Sequence, residues 1–200
     1  GALVIVGMSA AQRRPLVPQV RDIKPICILS LFQTIGQYFF FYLGLSRASA
    51  MSSSIIEASA NFLAILFAAL AFHTEKLNTA KVLGCVLGFT GVALVNLSGA
   101  DGTFGFTLDG EGFILASTVA GALSTCLIGI FSRGHDGVLL AGWQFLVGGL
   151  VLTAIGFLMG GALSPAAIAP AIALIIYMAL ISAVAYSLWS RLLAVNPVSR

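Results

Sequence analysis

The sequence predicts an all-α fold, a polytopic transmembrane helix bundle with inverted five-helix repeats. Three observations carry that reading: the composition, a series of apolar runs of bilayer length, and a weak echo between the two ends of the chain. Of the 200 residues, 59% are hydrophobic and 8% are charged, with a mean hydropathy of +1.05. A soluble domain carries about 25% charge. The net charge of +3 comes from ten basic and seven acidic residues, with no basic stripe or interleaved aromatics, which sets nucleic acid aside as a partner. Cys27, Cys85 and Cys126 each lie within an apolar run. Without C-x-x-C or His-rich spacing they read as small hydrophobes, and neither a metal nor a cofactor is expected.

About 20 helical residues cross the roughly 30 Å hydrocarbon layer. Gly1 to Met8 is apolar but only half that long. Six full-length runs follow: Ile26–Leu45, Met51–Phe72, Thr79–Leu97, Phe113–Phe131, Val138–Met159 and Ile168–Trp189. Helix breakers and charges collect between them, at Arg13-Arg14-Pro15, Lys24-Pro25, Thr74-Glu75-Lys76, Asp101-Gly102, Gly134-His135-Asp136-Gly137 and Ser164-Pro165. Basic residues are retained on the cytoplasmic side. With the Arg13–Lys24 loop inside, Lys76, Lys81, Arg133, Arg191 and Arg200 also fall inside, and Arg47 is the one basic residue outside. The loop with Asp101, Asp109 and Glu111 falls outside. An inner or plasma membrane is the expected location.

The echo appears at an offset near 148. Gly1 to Ile5 is similar in character to Gly148 to Leu152, and Thr34–Phe41 parallels Ser182–Trp189, with Tyr38 over Tyr186. The second copy lies an odd number of crossings after the first, so the two run in opposite directions. That is the build of many secondary transporters, whose substrate site lies near the midplane. On this reading the chain starts midway through the second helix of the first repeat and stops after the third helix of the second. A full protein would need one and a half helices before Gly1 and two after Arg200.

Glu57 stands out within these runs, because an ionisable group surrounded by hydrocarbon costs several kcal/mol and marks a functional position by default. Desolvation favours the neutral form of any carboxyl, the property that lets such a group exchange protons near neutral pH. Ser49, Ser53, Glu57 and Asn61 recur every four residues and predict a polar stripe on one helix face. The stripe suits a cavity wall; the alternative is hydrogen bonding to a neighbouring helix purely for packing. Gln33 and Gln37 make a second pair at the same spacing, beside Thr34, Tyr38 and Tyr42. Amides and phenols bind polar or zwitterionic molecules without a buried charge, or bond helix to helix. Ser182 and Tyr186 are the candidates in the last run, Tyr186 because it is repeat-equivalent to Tyr38. Ser117, Gly121, Ser124 and Thr125 mark the helix after the acidic loop, and Gln144 is a further candidate. Trp143 and Trp189 read as interfacial anchors. Gly84, Gly88 and Gly91, like Gly156 and Gly160, read as close-packing positions. Glu75, Asp136 and the outer acids read as loop and cap residues.

Several stretches resemble the EamA-type branch of the drug/metabolite transporter superfamily. Phe41-Tyr42-Leu43-Gly44-Leu45 with Ala48-Ser49-Ala50 looks like that family's third helix and its exit. Glu75-Lys76-Leu77 with Lys81, Gly84 and Gly88-Phe89-x-Gly91-Val92 is similar to its fourth-helix end and Gly-rich fifth helix. Gly110-Glu111-Gly112-Phe113 looks like the entry to its second repeat, and Ala185-Tyr186-Ser187-Leu188-Trp189 with Pro197-Val198-Ser199 resembles its eighth-helix end. The resemblance implies a ten-helix carrier of small metabolites with both termini cytoplasmic, often an exporter. Residues 1–99 would be the later part of the first repeat, 100–112 an extracytoplasmic linker and 113–200 the earlier part of the second. A mid-helix proline common in the family's fourth helix is replaced here by Asn61-Phe62. The expected partners are a small-molecule substrate and the lipid bilayer, with a homodimer left open. The rival readings are an intramembrane enzyme and a non-transporting scaffold. The sequence offers no H-E-x-x-H, no G-x-S-x-G, no paired intramembrane acids and no histidine at bilayer depth, so no enzyme is expected.

Overall fold

A computed structural model of the chain describes residues 17–74, 76–98, 107–161 and 165–196. The half-helix Gly1–Met8, the Arg13-Arg14-Pro15 and Asp101-Gly102 junctions, Glu75, Ser164, and Pro197-Val198-Ser199 lie outside the described residues. The helices are α1 (Val20–Leu29), α2 (Gln37–Leu45), α3 (Ala50–Ala58), α4 (Ala60–Leu66), α5 (Thr79–Ser98), α6 (Glu111–Phe131), α7 (Gly137–Leu158) and α8 (Pro165–Val195). Wider π-helical turns join α1 to α2 (Ser30–Gly36) and continue α4 (Phe67–Ala71).

Among the described residues, five helices are long and apolar enough to cross a membrane: Val20–Leu45, Ala50–Ala71, Glu111–Phe131, Gly137–Leu158 and Ile172–Leu193. The expected sixth span, Thr79–Leu97, forms α5. Three boundaries differ from those the sequence predicts. The first helix runs through Lys24-Pro25, because the side chains of Gln19 and Asp22 form a capping box that fixes its start at Val20. Pro25 then frees only the Arg21 carbonyl, near an exposed helix start. The Met51–Phe72 run is one crossing but two helices, divided at Ser59, whose hydroxyl donates to the Ile56 carbonyl at 2.6 Å. The last helix continues past Trp189 to Val195, which puts Trp189 within a helix rather than at its end. It opens on Pro165, where a missing N–H costs nothing.

Two compact units emerge. The first contains residues 17–35 and 128–196, hence α1, α7 and α8. Its core includes Val138 and Ala141 of α7 and Ala183 of α8, with Phe145 packed against them. Asp136 caps α7, accepting from the Val138 and Leu139 amides at 2.9 and 3.2 Å, the cap role expected of it. α1 and α7 run in the same direction: Asp22 lies 3.8 Å from His135, Ser30 bonds to the Gln144 carbonyl, and Thr34 abuts Gly148. At Gly148 an added Cβ would stand 2.5 Å from the Thr34 Cβ, so only glycine permits this approach.

The second unit contains residues 36–127, with α2 to α5 and most of α6. Glu111 caps α6, accepting from the backbone N–H and the hydroxyl of Thr107 at 2.9 and 2.8 Å. α2 runs antiparallel to α6, with Gly44 against Ile114 and Gln37 against Gly121. The α3–α4 crossing runs parallel to α6, since Glu57 meets Thr118 and the Cys126 thiol donates to the Ala64 carbonyl at 3.2 Å.

Candidate functional site

Within the second unit the side chains assemble around Glu57. The Ser49 side chain caps α3 by accepting from the Ser52 amide, which starts the helix so that its eighth residue is the acid. Ser53, one turn earlier, is buried, but its hydroxyl donates to the Ser49 carbonyl at 2.8 Å and is engaged within its own helix. Glu57 is half-buried. Its Oε1 accepts from Thr118 Oγ1 at 3.0 Å, and the same hydroxyl lies 2.8 Å from the Ile114 carbonyl oxygen. Beside this pair the amide of Gln37 lies flat on α6, 3.1 Å from where a Gly121 Cβ would be. Ser117 Oγ is fully buried and has no hydrogen-bond partner among the described residues. An acid, an amide and two hydroxyls from three helices therefore sit in and around one helix contact.

Asn61 faces elsewhere. It is exposed and lines a groove of about 590 Å³ with Phe62, Ile65, Asn78, Lys81 and Phe89. The predicted stripe of four is thus split: Ser53 bonds to its own helix, Glu57 meets α6, and Asn61 opens onto α5. The turn at Ser59 separates the last two. Tyr38 is half-buried and stacks on Tyr42, with ring centroids 6.3 Å apart. The groove joins an amide and a cationic amine to aromatic walls, chemistry suited to a small polar molecule with an apolar body.

The EamA-like transporter family matches residues 1–97. That match covers a little under half of the chain. Over 156 residues the chain is 27% identical to a WAT1-related, chloroplastic protein of Arabidopsis thaliana. That stretch covers 76% of the chain and 37% of the relative, so the chain spans well under half the relative's length. No solved structure matches it. With five crossings among its described residues, it is a multi-pass integral membrane protein.

The first unit holds the remaining predicted residues. Gln33 is buried on the π-helical turn, its Oε1 accepting from Gln144 Nε2 of α7 at 3.4 Å. Ser30 Oγ reaches the Ile26 and Gln144 carbonyls at 2.7 and 3.2 Å. Thr34 Oγ1 and Gln144 Oε1 are buried without partners among the described residues. Tyr186 packs edge-on against Phe145 at 4.8 Å, and Ser182 is half-buried beside the core alanine Ala183.

Sequence reasoning named Glu57 but missed its partner Thr118, and it left Ser30 out of the amide cluster. A signal for Thr118 was present. Glu57 is seven residues into α3 and Thr118 seven into α6. Two helices that enter from the same side place such residues at equal depth.

Proposed function

We propose that the protein is a secondary transporter that moves small metabolites by alternating access, with Glu57 exchanging a proton or sensing cargo. The single observation that supports this is the placement of Glu57: a half-buried acid inside a membrane crossing, held, among the described residues, by a hydroxyl of a second helix rather than by a neutralising cation. An acid kept only for structure is better replaced by an amide, which offers hydrogen bonds without a charge to desolvate. The inverted-repeat organisation belongs to this proposal, with 1–99 and 113–200 as parts of its two repeats. So do export as the direction and an inner or plasma membrane as the location. Gln37, Tyr38, Ser53 and Asn61 in the second unit, and Gln33, Ser182 and Tyr186 in the first, are proposed to contact cargo, Asn61 from the groove on the α5 side. Transport needs no cofactor on this reading.

The test begins with a thermal-shift screen of small polar and zwitterionic metabolites against the full-length protein. The best stabiliser is then followed in reconstituted vesicles across a pH series. Glu57→Gln should abolish the pH dependence of its flux. If that variant keeps the wild-type pH profile, Glu57 has no coupling role.

A further inference from the structure

Thr118 has one hydroxyl proton and two acceptors. Its Oγ1 lies 2.8 Å from the Ile114 carbonyl oxygen and 3.0 Å from Glu57 Oε1, and a threonine hydroxyl donates once. The Ile114 carbonyl is also the acceptor of the Thr118 N–H in the α6 ladder, so it stays satisfied whether or not the hydroxyl points at it. Thr118 is 1% exposed and Ile114 fully buried, so bulk water offers the hydroxyl no third acceptor.

The two acceptors correspond to two protonation states. With a proton on Glu57, the carboxyl O–H donates to Thr118 Oγ1 and the hydroxyl donates on to Ile114. Every proton then has an acceptor. Without it, the hydroxyl rotates about its C–O bond, leaves Ile114 and donates to the carboxylate. No backbone movement is needed, and the proton lost from Glu57 passes to water or to a basic group on cargo. We infer that Thr118 is a positioning residue that carries Glu57 between its charged and neutral forms by switching its hydroxyl proton between the carboxylate and the Ile114 carbonyl. This rests on the proton-exchange reading of Glu57 proposed above and gives it an atomic partner.

The other titratable groups on described residues of the neighbouring helices are Tyr38 and Tyr42 on α2, Lys81 and Cys85 on α5, and Glu111 and Cys126 on α6. Glu111 is engaged by Thr107 and Cys126 by the Ala64 carbonyl. Lys81 reaches the Lys76 carbonyl at 3.4 Å and lines the groove on the α5 side. Among the described contacts, Thr118 is the group that bonds to the Glu57 carboxyl.

The test uses full-length protein in lipid vesicles, without cargo, titrated by infrared difference spectroscopy. The carboxylic C=O band that disappears in Glu57→Gln reports the proton on Glu57. Thr118→Val keeps the shape and removes the donor, and a hydrogen bond to a charged group is worth more than one to a neutral group. The midpoint of the band should therefore move to higher pH by about one unit, a roughly tenfold rise in proton affinity. Thr118→Ser should bring it back. Thr118→Val coinciding with wild type would overturn the inference, as would a shift that Thr118→Ser shares in full. Should the valine variant not fold, the serine variant decides: a midpoint within a few tenths of wild type supports the hydroxyl, and a large shift removes it. The titration is read without transport, so a failure of the carrier reading shows in the flux assay alone.

Discussion

Gly148→Ala should loosen the contact between α1 and α7, and the structure fixes how. The new Cβ would lie 2.5 Å from the Thr34 Cβ, 2.6 Å from its Cγ2 and 3.2 Å from its Oγ1. Ordinary contact begins near 3.4 Å, so the helices must part by about 0.9 Å (3.4 − 2.5) at this point. Overpacking of this kind costs about 1–3 kcal/mol. One turn earlier the same separation would stretch the Gln144–Gln33 bond, already 3.4 Å long, and the 3.2 Å bond from Ser30 to the Gln144 carbonyl. Unfolding the full-length protein in mixed detergent should show the loss as an earlier midpoint. The rescue pattern is specific, because the nearest atom is the Thr34 Cβ itself. Thr34→Ala removes Cγ2 and Oγ1 but keeps the clash, and should restore little. Thr34→Gly removes it and should recover most of the coupling in a double-mutant cycle, after about 1 kcal/mol is allowed for glycine within a helix. A Gly148→Ala protein as stable as wild type would refute the close approach. Equal rescue by alanine and glycine at position 34 would refute the assignment of the clash to Cβ.

Truncating one member of the buried amide pair should cost more than truncating both. Gln144→Leu leaves the Gln33 amide unpaired and should lose about 1–3 kcal/mol, whereas Gln33→Leu with Gln144→Leu should lie closer to wild type in the same unfolding assay. Asp136→Ala removes the acceptor for two amides at the start of α7 and should cost about 1 kcal/mol, with Asp136→Asn recovering most of it.

The crossings were legible in the sequence because their lengths and their charged junctions follow directly from the thickness of the hydrocarbon layer. Their ends were less so. Lys24-Pro25 looked like a boundary, since proline and a charge commonly end helices, yet the Gln19–Asp22 capping box sets the start five residues before Pro25. A proline early in a membrane helix is tolerated when the freed carbonyl is near water. The apolar run of bilayer length closes at Trp189, and that predicts the end of the final helix there. Instead Arg191 lies inside it, exposed, and a long charged side chain can reach the interface from within a helix. The break at Ser59 carried no signal of glycine or proline. Glu57 was legible as an isolated charge, and the cap role of Asp136 as an acid just before an apolar run. Pairing was not: one sequence does not say which helices touch, so Glu57 with Thr118 and Gln33 with Gln144 needed the fold.

Hydroxyl groups show why polarity alone located a site imperfectly. Ser30, Ser53, Thr90, Thr118, Thr125 and Thr153 each donate to the carbonyl four residues earlier in their own helix. A hydroxyl satisfied in this way enters an apolar helix at little cost, so its presence in a run carries no information about function. Ser53 made the predicted stripe look continuous on those terms. What distinguishes a residue is a second acceptor on another helix, and among these six, Ser30 and Thr118 have one, at the Gln144 carbonyl and at Glu57. Ser30 links to a backbone carbonyl that cannot change charge, so its bond serves packing. Thr118 links to an acid, the one kind of partner whose demand for a donor changes when a proton leaves. The same side-chain chemistry thus holds one helix pair together and equips another to respond to protons, and the difference lies entirely in what the second helix presents.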